Sequence, residues 1–147
     1  MIEKFIGVWK LVSCEYKDKI TGAVRYPYGD PPVGRITYDA EGRMSAQLMN
    51  PGRRLIGLPP STGAASAARE ASPEDMREIL AGYGSYFGTF DVDESTHTVV
   101  HHVEGSLIPS WVGVDLRRRY EFSGDRLLLT AESEHSMASL VWQRDVR

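Results

Sequence analysis

The regular succession of short alternating segments and turns constrains this chain more than any other feature. Apolar and β-branched residues recur at about every second position, and glycine, proline, asparagine and aspartate separate the segments. Alternation of this kind is typical of a strand with one buried face, and the separating residues are those that tight turns need. The predicted strands cover residues 5–17, 24–28, 34–39, 43–49, 83–92, 98–104, 114–122, 126–131 and 138–144. The sequence therefore predicts an all-β protein with about nine strands, joined mostly in sequence.

The stretch at about residues 51–82 interrupts this pattern and is predicted as an insertion. Its first part is rich in proline and small residues, which indicates a loop. Ser72 and Pro73 then form an N-cap and a first helical position, with acidic residues in the first turn. Apolar residues three and four apart follow, and Gly82 is a suitable stop, so one short amphipathic helix is expected. A loop of this length is typical of a cover over a site or of a plain surface insertion, and the sequence leaves both open.

The order of the strands favours a closed barrel. Consecutive antiparallel strands without a crossover helix must protect their edges, and closure into an up-and-down barrel removes the edges altogether. A sandwich is the alternative, but it usually needs longer Greek-key connections. Two domains in 147 residues would each have a thin core, so we expect one domain over residues 1–147. The predicted fold is an all-β, up-and-down antiparallel barrel of eight to ten strands with one inserted helix.

Composition excludes several classes of function. The 17 basic and 20 acidic residues give a net charge of −3, which argues against a general nucleic-acid-binding protein. The single cysteine, Cys14, excludes an intrachain disulfide framework. No apolar run is long enough to span a membrane, and the first residues lack the apolar core of a secretory signal. We therefore expect a cytoplasmic protein with neither nucleic acid nor membrane as a partner.

Two short motifs near the ends of the chain resemble the lipocalin and calycin pattern. Gly7-Val8-Trp9 opens the first predicted strand, and Trp142-Gln143-Arg144 lies on the last. The resemblance implies that Trp9 packs where the barrel closes and that Arg144 lies across it. Cation–π attraction between a guanidinium and an indole ring is the physical basis of such a pair.

A second resemblance covers nearly the whole chain. Residues 34–47, 86–93, 101–113 and 119–127 resemble the bacterial and fungal lipocalin-like domain family. Membership implies a barrel with a ligand cavity. Some relatives stand beside genes of secondary metabolism, and a few are linked to cyclisation or isomerisation without a cofactor. The resemblance transfers the fold and the cavity to this chain, but not a reaction.

The histidines give one candidate for proton transfer. His101 and His102 point to opposite faces of their strand, so both cannot bind one metal ion, and we expect no metal and no cofactor. His101 lies among valines, which favours an inward orientation. A histidine there suits proton transfer near neutral pH, but a hydrogen-bonded structural role is the alternative. Tyr120, on the next strand, is the second candidate catalytic residue.

Arg118 and four aromatic residues are the candidates for ligand contact. Alternation places Arg118 on the apolar face of its strand, where a guanidinium is costly unless it is paired or binds an anion. An interior acidic partner, or a position at the rim, would also explain it. The segment 105–113 is predicted to be either a gate over the barrel mouth or a plug at its closed end. The aromatic candidates are Tyr38, Tyr86, Phe90 and Trp111.

Three functions remain for a barrel of this kind. The first is binding of a small, largely apolar molecule in the cavity, aromatic or polyketide-like and anionic. The second is a cofactor-independent cyclase, isomerase or dehydratase acting on such a molecule, so the sequence leaves open whether the protein is an enzyme. The third is a homo-oligomeric module without a small ligand, and a homodimer is compatible with each of the three.

Overall fold

The computed structural model describes residues 1–54 and 56–147, so Leu55, within the predicted insertion, lies outside the described residues. The described residues form nine strands, two α-helices and two short 3-10 helices. The strands are β1 (Gly7–Asp18), β2 (Val24–Arg25), β3 (Val33–Tyr38), β4 (Arg43–Met49), β5 (Tyr83–Asp93), β6 (Thr98–Ser106), β7 (Asp115–Ser123), β8 (Arg126–Glu132) and β9 (Ser136–Arg144). The α-helices are α1 (Ala64–Glu70) and α2 (Pro73–Ala81), and the 3-10 helices are Ile2–Lys4 and Pro109–Trp111.

Eight of these strands close into an up-and-down antiparallel barrel. From β3 to β9 each strand pairs with the next, and β1 closes the ring by pairing with β3 on one edge and β9 on the other. The β1–β9 seam runs from Trp9 opposite Arg144 to Asp18 opposite Ser136. The two residues of β2 pair only with the far end of β1 and add no strand to the ring. The predicted all-β, lipocalin-like barrel is confirmed.

Two β-bulges change which residues face inward along a strand. On β1, Leu11 pairs with Trp142 and Ser13 with Val141, so Val12 is an extra residue. On β6 the extra residue is Glu104, because Gly88 pairs with Val103 and Phe87 with Gly105. At Gly88 an added Cβ would lie 1.8 Å from the carbonyl oxygen of His102, so this position accepts only glycine.

The N-terminal segment fills one end of the barrel. Phe5, which the sequence placed in the first strand, instead follows the 3-10 helix Ile2–Lys4 and is fully buried. Its ring meets four other aromatic rings at centroid distances of 4.9 to 6.3 Å. These rings belong to Tyr38, Phe90, Tyr120 and Phe122. The end of the barrel that contains Phe5 is called the closed end below.

The predicted insertion contains two helices rather than one. The expected helix is present as α2, and the Ser72 hydroxyl caps it by accepting from the backbone N–H of Asp75 at 3.1 Å. The small residues ahead of it, read from the sequence as loop, form α1. Alanine is the best helix former, so the segment Ala-Ala-Ser-Ala-Ala has the propensity for a short helix although it shows no amphipathic period. Within the described part of the chain, no helix is long and apolar enough to cross a membrane.

Candidate ligand-binding site

The half of the barrel away from Phe5 encloses a cavity of about 200 Å³. Its walls are mainly aliphatic and aromatic, with Leu129 and Leu140 among the strand residues. Leu80 of α2 and Trp111 of the β6–β7 connection contribute to the lining near the mouth. Two grooves of about 530 Å³ each lie elsewhere and are more open to solvent; one is bordered by charged side chains such as Lys10. The enclosed cavity is therefore the candidate site for an apolar ligand.

Three polar side chains form a connected group beside the cavity. His101 of β6 is 1% exposed, and its Nε2 lies 2.7 Å from the hydroxyl of Tyr38 on β3. Its Nδ1 lies 2.9 Å from the hydroxyl of Tyr86 on β5. His101 and Tyr86 line the cavity, whereas Tyr38 lies behind the histidine and is 1% exposed. This set of three residues is called the Tyr–His–Tyr group below.

All three members of the Tyr–His–Tyr group are uncharged at neutral pH. Burial, together with the smaller effect of the positive charge of Arg118, lowers the pKa of His101 to about 3. Burial raises the pKa of Tyr86 to about 12 and holds the pKa of Tyr38 well above its usual value. A histidine with such a low pKa accepts a proton poorly at neutral pH. Its surroundings therefore favour the hydrogen-bonded structural role over the proton shuttle.

Arg118 lies at a gap between β7 and β8 in the barrel wall. The pairing of β7 with β8 begins only at Arg119, so the two strands separate at Arg118. Its half-buried side chain lines the cavity on the inside and a groove on the outer surface. The guanidinium donates to the carbonyl of Arg117 at 3.2 Å, and among the described residues it forms no salt bridge. An arginine in this position can offer its remaining donors to an anionic group.

The structure does not bring Tyr120 and Phe90 to the cavity. Tyr120 lies at the closed end, with its ring 5.0 Å from that of Phe5, and its buried hydroxyl has no hydrogen-bond partner among the described residues. Phe90 packs edge-on against Tyr38 at 4.7 Å. Both side chains face inward as the alternation predicts, but the alternation does not say at which depth of the barrel a residue lies.

The segment 105–113 lies at the mouth of the cavity. Its 3-10 helix Pro109–Trp111 places the Trp111 ring edge-to-face with Tyr86 at 5.6 Å, and Ile108 also lines the cavity. The opposite end of the barrel is filled by Phe5, so this segment does not plug the closed end.

Sequence reasoning missed several lining residues. Tyr16 and Cys14 line the cavity because the bulge at Val12 exchanges the inward and outward faces of β1. Tyr28 was placed on a strand but lies in the turn after β2, and contributes its ring from there. Bulges leave no reliable mark in a single sequence. A strict alternation with a period of two therefore could not predict that Tyr16 faces the cavity.

His102 lies on the outer face of β6, opposite in direction to His101. Its Nδ1 and Nε2 each lie 2.7 Å from a carboxylate oxygen, those of Asp115 on β7 and Asp91 on β5. These hydrogen bonds raise the pKa of His102. The described residues contain no group of three or more histidine, cysteine or acidic side chains arranged to hold a metal ion.

The closed antiparallel barrel and its inner cavity define a class of protein that holds small molecules inside a β-barrel. Residues 6–145 match the lipocalin-like domain family, and the chain belongs to that family. A similar protein is the 4'-hydroxy-3'-methoxypropiophenone carrier protein of Aspergillus oryzae, 32% identical over 93 residues. The matched region covers 59% of this chain and 78% of the relative. The family and this relative together support binding of a small molecule.

Proposed function

We propose that this protein binds and carries a small, largely apolar aromatic molecule in the cavity of its barrel. The observation that carries the proposal is the enclosed cavity of about 200 Å³ behind Trp111, with mainly aliphatic and aromatic walls and polar groups that include Tyr86 and Arg118. Such a lining holds a ligand by apolar burial and orients it through a few hydrogen bonds.

The volume of the cavity limits the size of the ligand. An apolar cavity of about 150 Å³ accommodates a benzene molecule, and drug-sized ligands usually occupy pockets of about 300 to 1,000 Å³. A single substituted aromatic ring therefore suits the cavity of about 200 Å³ in this barrel. The aryl ketone in the name of the fungal carrier protein is a molecule of this class.

Arg118 supplies a site for an acidic substituent on the ligand. Its side chain lies in the gap between β7 and β8, lines the cavity, and has no carboxylate partner among the described residues. A phenolate or carboxylate at this wall would gain a charge-assisted hydrogen bond. The proposed ligand is thus an aromatic molecule with an acidic group.

A carrier and an enzyme differ in what happens to the bound molecule. The neutral state of His101 favours a carrier, because no member of the Tyr–His–Tyr group is an efficient base at neutral pH. The cofactor-independent isomerase, cyclase or dehydratase is the alternative, and its support is the Tyr86 hydroxyl on the cavity wall. A cytoplasmic location and a homodimer stay predictions from the sequence.

Calorimetric titration with 4'-hydroxy-3'-methoxypropiophenone tests the proposal, together with native mass spectrometry of the protein as purified. We expect one bound molecule per chain, recovered unchanged after incubation. In the variant Ala131→Trp, an indole fills the cavity from β8, and binding should be lost. The matched control is Ala40→Trp, which places the same side chain on the exposed β3–β4 turn. Equal binding by both variants would contradict a site inside the barrel, and a converted ligand would establish the enzyme instead.

A further inference from the structure

The burial of Tyr38 determines the direction of the hydrogen bonds around His101. A neutral imidazole carries one N–H donor and one acceptor nitrogen, so its two tyrosine neighbours must play opposite roles. The Tyr38 hydroxyl is buried at the inner side of the group, and among the described residues its only hydrogen-bond partner is Nε2 of His101. The Tyr86 hydroxyl can also form a hydrogen bond towards the cavity, because Tyr86 lines the cavity.

The two tautomers of His101 differ in how many hydrogen bonds the hydroxyl groups of Tyr38 and Tyr86 can form. With the proton on Nε2, the imidazole donates to the Tyr38 oxygen, and the hydroxyl proton of Tyr38 is left buried without an acceptor. With the proton on Nδ1, Tyr38 donates to Nε2 and His101 donates to the oxygen of Tyr86. Every buried donor then has an acceptor, so the second arrangement has the lower free energy.

The favoured tautomer leaves the hydroxyl proton of Tyr86 directed away from His101. Trp111 packs edge-to-face on the Tyr86 ring at 5.6 Å, and the bond to Nδ1 fixes the oxygen at 2.9 Å, so the hydroxyl is held in place. We infer that Tyr86 presents a fixed hydrogen-bond donor to the cavity, and that the carried ligand has a carbonyl oxygen at this position. The inference rests on the proposed function and names the chemical group that the site recognises.

The position of Arg118 is consistent with this arrangement. Its positive charge near His101 disfavours the imidazolium form, in which both ring nitrogens would be donors. An imidazolium would leave Tyr38 without an acceptor for its buried hydroxyl proton. Arg118 therefore helps to keep the histidine neutral, while the tautomer is decided by the two tyrosines.

Nitrogen NMR measures the tautomer without any ligand. In long-range proton–nitrogen correlation spectra of the wild-type protein, we expect Nδ1 of His101 to carry the proton and Nε2 to show the shift of an acceptor nitrogen. In Tyr38→Phe a proton on Nε2 would be buried without an acceptor, so the proton should stay on Nδ1 and His101 should still donate to the oxygen of Tyr86. A proton on Nε2 in the wild-type protein would overturn the inference.

A matched pair of ligands tests the carbonyl. 4'-Hydroxy-3'-methoxypropiophenone and 2-methoxy-4-propylphenol differ only in the replacement of the carbonyl by a methylene group. At about pH 6, where both phenols are neutral, we expect the ketone to bind about tenfold more tightly, as one net hydrogen bond allows. Tyr86→Phe should remove this preference, because it lowers the affinity for the ketone more than that for the propylphenol.

Tyr38→Phe tests whether the preference depends on Tyr86 itself, because Tyr38 does not line the cavity. This variant should keep the preference for the ketone, because Nδ1–H of His101 still donates to Tyr86 and the Tyr86 hydroxyl stays directed towards the ligand. Tyr120→Phe removes a buried hydroxyl at the closed end and should keep the preference, so it serves as the control. If the wild-type protein binds both ligands equally, the carbonyl inference is wrong and the carrier function stands. If neither ligand binds, the proposed function itself is contradicted, and the inference with it.

Discussion

The guanidinium of Arg144 lies over the indole ring of Trp9, with its central carbon 4.1 Å from the ring centroid. The two residues are register partners on β1 and β9, the strands that close the barrel. Arg144 also donates to the carbonyls of Ile6 at 3.0 Å and Lys4 at 2.7 Å. One side chain therefore joins the last strand, the first strand and the N-terminal segment that fills the closed end.

We expect Arg144→Met to lower the free energy of unfolding by about 1 to 3 kcal/mol, because it removes the cation–π contact and two charge-assisted hydrogen bonds. Denaturant unfolding followed by tryptophan fluorescence measures this change. Arg147→Met, at the exposed C-terminus, is the control and should leave stability unchanged. Equal stability of the two variants would show that the pair contributes little to closure.

Tyr120→Phe should leave stability unchanged or raise it by up to about 1 kcal/mol. The buried hydroxyl of Tyr120 has no hydrogen-bond partner among the described residues, so its removal costs no bond and relieves a desolvated polar group. Tyr38→Phe is the matched comparison, because its hydroxyl is bonded to His101 at 2.7 Å, and should destabilise the protein. Thermal unfolding of both variants checks this difference in sign.

The contribution of His102 to stability should decrease as the pH rises. Hydrogen bonds to Asp115 and Asp91 raise its pKa in the folded protein above the ordinary value of 6.5. The folded state therefore binds the proton more tightly than the unfolded state. The resulting stabilisation is fully present below about pH 6.5 and is lost as the pH passes through the folded pKa. Exposure of the site limits its size to about 1 kcal/mol or less.

The difference in unfolding free energy between the wild-type protein and His102→Gln measures this effect. We expect the difference to be largest near pH 6 and to shrink towards about pH 9. The control is His135→Gln at the exposed His135, whose Nε2 lies 3.9 Å from a carboxylate oxygen of Glu134. A difference that grows with pH would mean that His102 is stabilised in its neutral form.

Arg118→Met should weaken binding of an anionic ligand about tenfold or more and spare a neutral one. The phenolate of 4'-hydroxy-3'-methoxypropiophenone, titrated above the pKa of its phenol, is the anionic probe. Its methyl ether, 3',4'-dimethoxypropiophenone, is the neutral probe of closely similar shape. Equal losses for the two probes would assign Arg118 a packing role in the gap between β7 and β8.

The alternation of apolar residues made the barrel and its strands predictable, because one face of every strand must be buried. The same reasoning placed both Tyr86 and Tyr120 inward, but only Tyr86 lines the cavity. Whether an inward side chain lines the cavity depends on how far along the barrel axis it lies, because Phe5 fills the closed end. The buried position of Phe5 follows from tertiary packing and is not contained in the alternation. The inward orientation of Tyr16 could not be predicted for another reason, because the bulge at Val12 reverses the inward and outward faces of β1.

The same two bulges have a wider consequence for the molecule. The extra residues at Val12 and Glu104 lie partway along β1 and β6, so each strand follows one inward pattern near Phe5 and the opposite pattern beyond the bulge. On β1 the core residues Trp9 and Leu11 and the cavity-lining residues Cys14 and Tyr16 therefore belong to separate alternations. The cavity-facing positions of β1 can therefore be exchanged while the alternation that buries Trp9 and Leu11 stays the same.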